Sequence, residues 1–397
     1  MRKALLLKWG FMFVLIACFV RCSKSGGATA PGTGTNPGGG TTNPTQSPVQ
    51  KDVPAVDNAV KTFMSTWSVP GMSIAVIHND KLIYVKSYGK MSATDTTSIK
   101  NASLFRLASV SKQITSVAIM KLLQDGKLTL ASKVFGTGGI LGNDYSGTYL
   151  GQLYDITIDQ LLHHTTGNWP NDGYDPMFEH TSYSQPDLIN WTFNNYPDRN
   201  KRGQYYYSNF GYCILGRVIE KLSGKSYDQY CKDVVLSPSG ISDMVIGGNT
   251  LADRRPGEVI YNGQSNEDPY NMNVTRMDSH GGWLGTATDL ARFLAHVDGF
   301  SGVADILTPA TITTMTTPSS GNANYACGWG VNNLNTWWHN GSLPGTLTEI
   351  IRASNGFCWV MLCNTRSLDS QMDTDLDNLL WPSVNDTSTP WENTDQF

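Results

Sequence analysis

A serine and a lysine three residues apart, Ser109 and Lys112, form a pattern suited to covalent chemistry. The apolar run over residues 109–124 predicts a buried helix, and the i, i+3 spacing places both side chains on one face of its first turn. A serine hydroxyl becomes a nucleophile when a neighbouring base takes its proton, and a desolvated lysine with a lowered pKa is such a base. The helix N-terminus adds a positive dipole end where an oxyanion forms. The pattern therefore predicts an acyl-transfer site.

The spacing alone is weak, because Ser87 and Lys90 repeat it where a strand is expected to run into a turn and the side chains would not share a face. Two further motifs favour the first pair. Tyr207-Ser208-Asn209 lies where a loop is predicted to enter a helix, and His339-Asn340-Gly341 precedes a predicted hairpin.

With these three motifs in this order, the sequence resembles the serine β-lactamase and penicillin-binding-protein superfamily. It is most similar to the class C branch, which includes class C β-lactamases, DD-peptidases, D-amino-acid amidases and family VIII esterases. That superfamily carries Ser-x-x-Lys, Tyr-x-Asn and Lys/His-x-Gly at about these spacings. Flanking stretches extend the resemblance over nearly all of the folded part: residues 69–76, 105–108, 161–167 and 281–283.

The resemblance implies a mechanism in which Ser109 attacks a carbonyl and becomes acylated. Lys112 and Tyr207 would share the role of base, and which of them holds the proton at rest stays open. Asn209 would hydrogen-bond Lys112 and the substrate amide. The backbone N–H groups of Ser109 and Ser342 would form the oxyanion hole, and water would then release the acyl group. The resemblance implies no metal and no organic cofactor.

The third motif departs from the Lys-Thr-Gly or Lys-Ser-Gly of β-lactamases, since His339 and Asn340 replace the cation and the hydroxyl residue. We expect His339, Asn340, Gly341 and Ser342 to contact substrate. If His339 holds a substrate carboxylate it must be cationic, so carboxylate-bearing substrates should lose kcat/KM as the pH rises through about 6.5. The departure weakens a β-lactamase assignment more than it weakens hydrolysis.

Other residues have structural as well as functional interpretations. The adjacent His163 and His164 favour a structural role over a metal site. One tryptophan of the pair before the third motif either forms a substrate wall or packs. Tyr205 and Tyr206 either line the cleft or pack near the helix start. Gly281 and Gly282 favour a close approach of the backbone. His280-Gly281-Gly282 also matches the third motif, but no strand is expected after it.

The fold class predicted from the elements is α+β. Strands are expected at 72–77 and 82–88 near the start, and at 346–352 and 357–363 near the end, each pair joined by a hairpin. Helices are expected at 56–67, 208–222 and 367–380, with a capping box at 286–289 opening another. The resulting architecture is one antiparallel sheet built from both termini and flanked by helices, with a mostly helical inserted subdomain.

The N-terminus indicates export to a membrane surface. Residues 1–21 read as a lipoprotein signal peptide, with cleavage before Cys18 or Cys22, because a short apolar run follows Arg2 and Lys3. Residues 23–52 are a Gly/Thr/Pro-rich linker, residues 53–383 the hydrolase domain, and residues 384–397 a polar C-terminal tail. A plain cleaved signal is the alternative. We therefore expect lipid anchoring in a bacterial cell envelope, facing the periplasm or exterior.

Composition restricts the partners. The chain has 29 Lys plus Arg and 33 Asp plus Glu, a net charge of −4, which argues against nucleic acid. The expected partner is a small-molecule or peptide substrate: a D-Ala-D-Ala-like peptide, a β-lactam or an acyl ester. The alternative is a penicillin-binding or sensor lipoprotein that does not turn over. Five cysteines of the folded part, at 213, 231, 327, 358 and 363, are expected to be buried thiols, with a 213–231 disulfide as the alternative.

Overall fold

A computed structural model describes residues 52–92, 94–172 and 174–397 of the 397-residue chain. The predicted signal peptide, both candidate anchor cysteines and all of the predicted linker except Asp52 lie outside these residues. The strands are β1 (Gly71–His78), β2 (Lys81–Gly89), β3 (Phe105–Arg106), β4 (Val245–Ile246), β5 (Trp283–Gly285), β6 (Gly330–Val331), β7 (Trp337–Leu343), β8 (Thr346–Arg352) and β9 (Phe357–Cys363). The helices are α1 (Pro54–Thr66), α2 (Ser111–Gln124), α3 (Ile158–Leu162), α4 (Gln185–Asn195), α5 (Asn209–Ser223), α6 (Tyr227–Cys231), α7 (Ala287–Ala295), α8 (Pro309–Thr316), α9 (Gln371–Asp377) and α10 (Trp381–Asn385).

The central sheet joins both ends of the folded part. Its strand order is β2-β1-β9-β8-β7-β6, and every neighbouring pair is antiparallel. The β1–β2 hairpin turns at Asn79 and Asp80, whose φ angles of 50° and 64° suit a two-residue turn that matches the strand twist. Gly356 turns the β8–β9 connection at φ 88°. The predicted sheet from both termini is confirmed.

Both faces of the sheet are covered. Because successive side chains alternate between faces, Ala75 and Ile77 of β1 enter the large core that includes α2 and α5, while Ile74 and Val76 enter a second core with α1 and α9. Helices therefore flank the sheet on both sides, as the α+β prediction requires.

The insertion between β2 and β6 carries most of the helices. The helix predicted at 208–222 is α5: the Ser208 side chain caps it by accepting from Gly211 N, and Gly224 ends it at φ 69°. Thr286 and Asp289 form the capping box of α7. The insertion also holds a small sheet of order β3-β5-β4. Strand β5 directly follows Gly282, so the expectation that no strand follows that glycine is wrong.

Two predicted helices have different bounds in the structure, and the C-terminal segment makes contacts that the sequence did not predict. The helix expected at 109–124 begins as a 3-10 turn, Ala108–Val110, before α2. The helix expected at 367–380 is two short helices, α9 and α10. The polar C-terminal segment packs on the edge strand β2, where Gln396 N donates to Leu82 O over 3.0 Å and Asp395 Oδ1 accepts from Leu82 N. Pairing with the last residues covers a sheet edge that would otherwise be open.

The described residues contain no helix with the length and apolar character needed to cross a bilayer.

Candidate active site

Ser109 lies in the 3-10 turn that leads into α2, and Lys112 lies in the first turn of that helix. Lys112 Nζ is 3.1 Å from Ser109 Oγ, which is the contact that the i, i+3 spacing predicts. Ala108, directly before the serine, has φ 49°, a left-handed conformation that is costly for a residue with a side chain and that clusters at functional sites. The backbone thus turns sharply to present Ser109, which remains partly exposed.

The amine of Lys112 is buried and meets three oxygens. Besides Ser109 Oγ, Nζ donates to Asn209 Oδ1 over 2.7 Å and to the carbonyl of His280 over 3.0 Å. Burial lowers the pKa of Lys112 well below its ordinary value, and the carboxylate of Asp175 opposes this only in part. A neutral amine has two N–H donors and one lone pair. The two carbonyl oxygens take the donors, so the lone pair faces the Ser109 hydroxyl as a base requires.

Tyr207 supplies the third polar group beside Ser109. Burial raises the pKa of Tyr207 well above its ordinary value, and Ser109 lowers it only in part. The phenol oxygen is buried and has no well-formed hydrogen bond among the described residues. Lys112 Nζ lies 4.8 Å from the centre of the Tyr207 ring. These opposite pKa shifts favour Lys112 over Tyr207 as the base at rest.

Asn209 begins α5 and is oriented by two neighbours. Its backbone N–H donates to Asn171 Oδ1 over 2.9 Å, and its Nδ2 donates to Asp175 Oδ2 over 2.7 Å. These contacts direct Oδ1 toward Lys112. Asp175 was not predicted from the sequence, because it lies in a loop and carries no motif; its other oxygen accepts from Met177 N over 2.9 Å.

The segment around Gly281 and Gly282 also reaches the site through its backbone. The His280 carbonyl holds Lys112, and a methyl group at Gly282 would lie 2.7 Å from Val274 O. Only glycine permits that approach, which agrees with the close-backbone interpretation of this pair.

Strand β7 brings the third motif against the nucleophile at Gly341. A methyl group there would overlap the Leu107 carbonyl and the Thr348 hydroxyl, and would lie 3.0 Å from Ser109 N. Thr348 Oγ1 donates to Leu107 O over 2.8 Å, which ties β8 to the same turn. The strand and the nucleophile turn therefore fit together only because residue 341 has no side chain.

His339 shares the face of β7 that Gly341 presents to the serine, but it is not a cation. Its side chain is buried, its Nε2 lies 3.1 Å from the Tyr325 hydroxyl, and its Nδ1 contacts the Asn340 carbonyl. Burial, with a contribution from nearby Lys112, lowers the pKa of His339 to about 3. Burial of the ring disfavours the imidazolium that binding of a carboxylate by His339 would require. A contact between neutral His339 and substrate stays a prediction.

Asn340 and Ser342 point to the opposite face of β7. Alternation separates their side chains from Gly341, and Asn340 is exposed. Ser342 Oγ accepts from Arg366 Nη1 over 3.0 Å. The structure therefore brings the Ser109, Lys112, Tyr207 and Asn209 side chains together. Contact of the exposed Asn340 with substrate stays a prediction. The oxyanion role of the Ser342 N–H stays a prediction.

The two adjacent histidines have different neighbours. His164 packs its ring 4.3 Å from that of Tyr207 and accepts from Ser208 N at Nδ1 over 3.1 Å, so it supports the site from behind. His163 points away toward Asp159 and Cys327. The structural interpretation holds for both residues, although sequence reasoning did not show that His164 packs against Tyr207.

The remaining aromatic residues pack rather than stand free. Tyr205 contacts the rings of His164 and Tyr325. Trp337 is buried beneath the Arg352 guanidinium, and Trp338 packs against the second core. All five cysteines between residues 213 and 363 are buried free thiols, so the 213–231 disulfide is absent from the described chain.

Comparison with known proteins agrees with this arrangement. The Beta-lactamase family profile matches residues 56–380. Protein flp of Staphylococcus aureus (strain MW2) is 27% identical over 183 residues, which are 46% of this chain and 36% of the relative. Penicillin-binding protein 4* of Bacillus subtilis (strain 168) is 30% identical over 189 residues, 45% of this chain and 39% of the relative. The matched part thus spans less than two fifths of these relatives.

Two solved structures show the same fold. The octameric penicillin-binding protein homologue from Pyrococcus abyssi superposes with a TM-score of 0.66 at 22% identity, covering 83% of this chain and 78% of its own. The D-amino acid amidase from Ochrobactrum anthropi SV3, complexed with L-phenylalanine amide, gives 0.67 at 19% identity, covering 82% and 96%. Since the family profile spans nearly the whole folded part and the ordered motifs meet around one serine, this chain belongs to the Beta-lactamase family, within the serine β-lactamase and penicillin-binding-protein superfamily.

Proposed function

We propose that this protein is a serine hydrolase that cleaves an amide or ester through a Ser109 acyl-enzyme, with a DD-peptidase-like or esterase-like activity in the cell envelope. One observation carries the proposal: a buried lysine amine, with two carbonyl oxygens on its N–H groups, faces the Ser109 hydroxyl at 3.1 Å. The arrangement combines a nucleophile, a base and groups that orient the base.

In acylation, Ser109 Oγ attacks the carbonyl carbon while Lys112 Nζ takes the hydroxyl proton. The negative charge that develops on the carbonyl oxygen is stabilised by the backbone N–H of Ser109 and that of Ser342 on β7. The bond to the leaving nitrogen or oxygen then breaks as that atom receives a proton. The phenol of Tyr207 lies beside Ser109 and donates this proton to the leaving atom. Lys112 then passes the proton that it took from Ser109 to the Tyr207 oxygen.

In deacylation, Lys112 takes a proton from water, and the resulting hydroxide attacks the acyl-serine carbonyl. The ester bond to Ser109 Oγ breaks, and the serine oxygen regains a proton. Each group returns to its starting state, so the cycle consumes only substrate and water.

The comparisons support the substrate class without deciding it. The Ochrobactrum relative is a D-amino acid amidase. The Bacillus relative is a penicillin-binding protein, and the Pyrococcus structure is that of a penicillin-binding protein homologue. A small amide, ester or peptide is thus the substrate proposed for this chain.

The function is tested by covalent labelling of purified protein. A fluorophosphonate or a fluorescent penicillin should modify the peptide that carries Ser109, and Ser109→Ala should abolish labelling and turnover. The chain offers a matched control: Ser87 belongs to the decoy Ser-x-x-Lys on β2, where it bonds Ser73 Oγ instead of a lysine, so Ser87→Ala should leave both intact.

Turnover is followed with nitrocefin, p-nitrophenyl acetate or butyrate, and a D-Ala-D-Ala peptide. A stable label without turnover would replace the hydrolase proposal by a penicillin-binding or sensor role. Full activity of Ser109→Ala would refute the mechanism.

We also propose that the mature protein is held at the membrane by a lipidated cysteine, Cys18 in preference to Cys22. An apolar signal segment before the cysteines and the Gly/Thr/Pro-rich linker after them support it. Labelled palmitate should enter the wild type and be absent from one of the variants Cys18→Ser and Cys22→Ser. Release of soluble, unlabelled protein would contradict the anchor.

A further inference from the structure

A directed chain of hydrogen bonds runs behind the catalytic tyrosine. Ser208 N–H donates to His164 Nδ1 over 3.1 Å. Because that nitrogen accepts, the proton of neutral His164 is on Nε2, which faces the Tyr325 oxygen at 3.1 Å. Tyr325 then donates its own proton to His339 Nε2, also 3.1 Å away. The proton of His339 therefore lies on Nδ1 and is donated to the Asn340 carbonyl.

The Ser208 N–H thus sets the direction of the hydrogen bonds in this series. Adding a proton to His339 would place an N–H from each histidine on the Tyr325 oxygen, and the Tyr325 hydrogen would have to leave His339 for the neighbouring Tyr212 oxygen. His164 and His339 are both at most 5% exposed, so water does not compensate for the lost bond. His339 is held as a neutral ring with both nitrogens occupied.

The other groups expected at the site offer a carboxylate no free charge. Asn340 replaces the hydroxyl residue of the third motif and is uncharged. In the described chain, the cations that hydrogen-bond side chains of the expected site residues are Lys112, held within the catalytic cluster, and Arg366, which bonds Ser342. Arg366 forms a two-pronged ion pair with Glu267, with Nε 3.1 Å from Oε2, and both side chains are buried. Its charge is already neutralised.

We infer that this site acts on acyl compounds whose leaving group carries no carboxylate, that is, uncharged amides or esters rather than peptides ending in a free carboxylate. The inference rests on the proposed hydrolase function and narrows it to the esterase-like or amidase-like activity, because the D-alanine released by a DD-peptidase carries a carboxylate. A carboxylate entering beside His339 would lose its hydration and find no unpaired cation among the groups described, which is unfavourable.

The test compares two thioesters that differ only in charge. The substrates are a benzoyl-D-alanyl thioester of thioglycolate and its methyl ester, and each kcat/KM is divided by the rate of hydroxide hydrolysis to remove intrinsic reactivity. We expect the uncharged thioester to be preferred by about tenfold or more. The preference should be the same at pH 6 and pH 8, because His339 does not titrate between them.

Two variants at one position separate charge from shape. His339→Lys introduces a cation and should move the preference toward the charged thioester, whereas His339→Gln stays neutral and should not. Where His339→Lys fails to fold, the wild-type ratio alone decides. An equal or greater rate on the charged thioester would overturn the inference.

Labelling of Ser109 distinguishes the failure of this inference from the failure of the hydrolase proposal. If Ser109 is labelled and the charged thioester is preferred, only the substrate class is wrong. If Ser109 is labelled but neither thioester turns over, their relative power to slow labelling replaces the rates, and stronger protection by the charged compound overturns the inference. If Ser109 is neither labelled nor active, both proposals fail.

Discussion

Two clusters among the described residues bring a nucleophile and a basic side chain together, and they differ in exposure and in protonation. The Ser109 cluster comprises Ser109, Lys112, Tyr207 and Asn209. The Cys327 cluster comprises Cys327, His163 and Asp159, with His163 Nε2 3.5 Å from the sulfur and Nδ1 3.0 Å from an Asp159 carboxylate oxygen. By residue type, the second cluster is the more obvious catalytic set.

The Cys327 cluster has neither an exposed nucleophile nor a free base. Cys327 has no exposed surface, and burial raises the pKa of its thiol. His163 Nε2 also meets the Thr317 carbonyl at 3.1 Å, so both ring nitrogens face acceptors. Burial opposes a charge on His163, but the hydrogen bonds to Asp159 and Cys327 raise its pKa to about 11. An imidazolium has no lone pair with which to take a proton.

The Ser109 cluster differs in each respect. Ser109 is partly exposed, and the burial of Lys112 lowers its pKa instead of raising it. The Tyr207 hydroxyl makes no well-formed hydrogen bond in the described chain, although Ser109 lies near it, and Ala108 is strained. Unused donors and stored strain are unfavourable for folding and useful for binding a reacting group. Proximity of nucleophile and base is thus insufficient; access, a free lone pair and unused donors distinguish the site.

The largest expected effect comes from removing the base of the Ser109 cluster, and removing the basic residue of the Cys327 cluster is its control. Lys112→Ala should slow acylation of Ser109 by roughly two to four orders of magnitude, since general-base catalysis is lost. His163→Gln should leave kcat/KM within about threefold, because His163 points away from the site. Stopped-flow labelling and ester hydrolysis measure both. A large loss from His163→Gln would show that the Cys327 cluster takes part.

Tyr207→Phe sharpens the assignment of the base. Because the phenol has a raised pKa and Lys112 a lowered one, the rate lost in Tyr207→Phe should be smaller than that lost in Lys112→Ala, though within the same range. The reverse order would make tyrosinate the resting base. The pH profile of acylation should rise through a pKa below the ordinary lysine value, and this limb should be absent in Lys112→Ala.

An intermediate effect is expected from the strand that contacts the nucleophile. Gly341→Ala should lower kcat/KM by about a hundredfold, because the methyl group pushes β7 from the Ser109 turn and misplacement of this size is costly. The matched control is Gly151→Ala, whose methyl group meets nothing within 4 Å. Wild-type activity in Gly341→Ala would mean that the contact between β7 and Ser109 is not needed for catalysis.

The smallest effect is one of stability, and it contrasts the two adjacent histidines. The folded-state pKa of His163 is raised to about 11, so its contribution is complete below pH 6.5 and is lost as the pH rises toward 11. His163→Gln should therefore lower the free energy of unfolding by about 1 kcal/mol more at pH 6 than at pH 9. The difference is small because Asp159 is partly exposed and solvent screens the pair.

Burial lowers the folded-state pKa of His164 well below 6.5, so its contribution is present above pH 6.5 and is lost as the pH falls. His164→Gln should accordingly lower the free energy of unfolding more at pH 8 than at pH 5. Urea unfolding at pH 5, 6, 8 and 9 measures both slopes. Slopes of the same sign would contradict the assignment of one cationic and one neutral histidine.

The sequence predicted the parts of this protein that depend on local chemistry. The Ser109–Lys112 contact follows from helical spacing, the Asn79-Asp80 hairpin from turn preferences, and the Thr286–Asp289 capping box from side chains that reach their own backbone. Ordered motifs identified the family, which the profile over residues 56–380 confirms. Each of these features is determined by residues close together in the chain.

What the tertiary structure decided are the charges and the partners. Asp175 reaches Asn209 across 34 residues, and Tyr325 reaches His164 across 161. No local pattern reports such contacts. His163 and His164 are neighbours of one residue type, yet one is cationic and the other neutral, because the fold surrounds the first with acceptors and gives the second a backbone donor. A side chain's pKa depends on its burial and on the groups it faces, and long-range packing sets both.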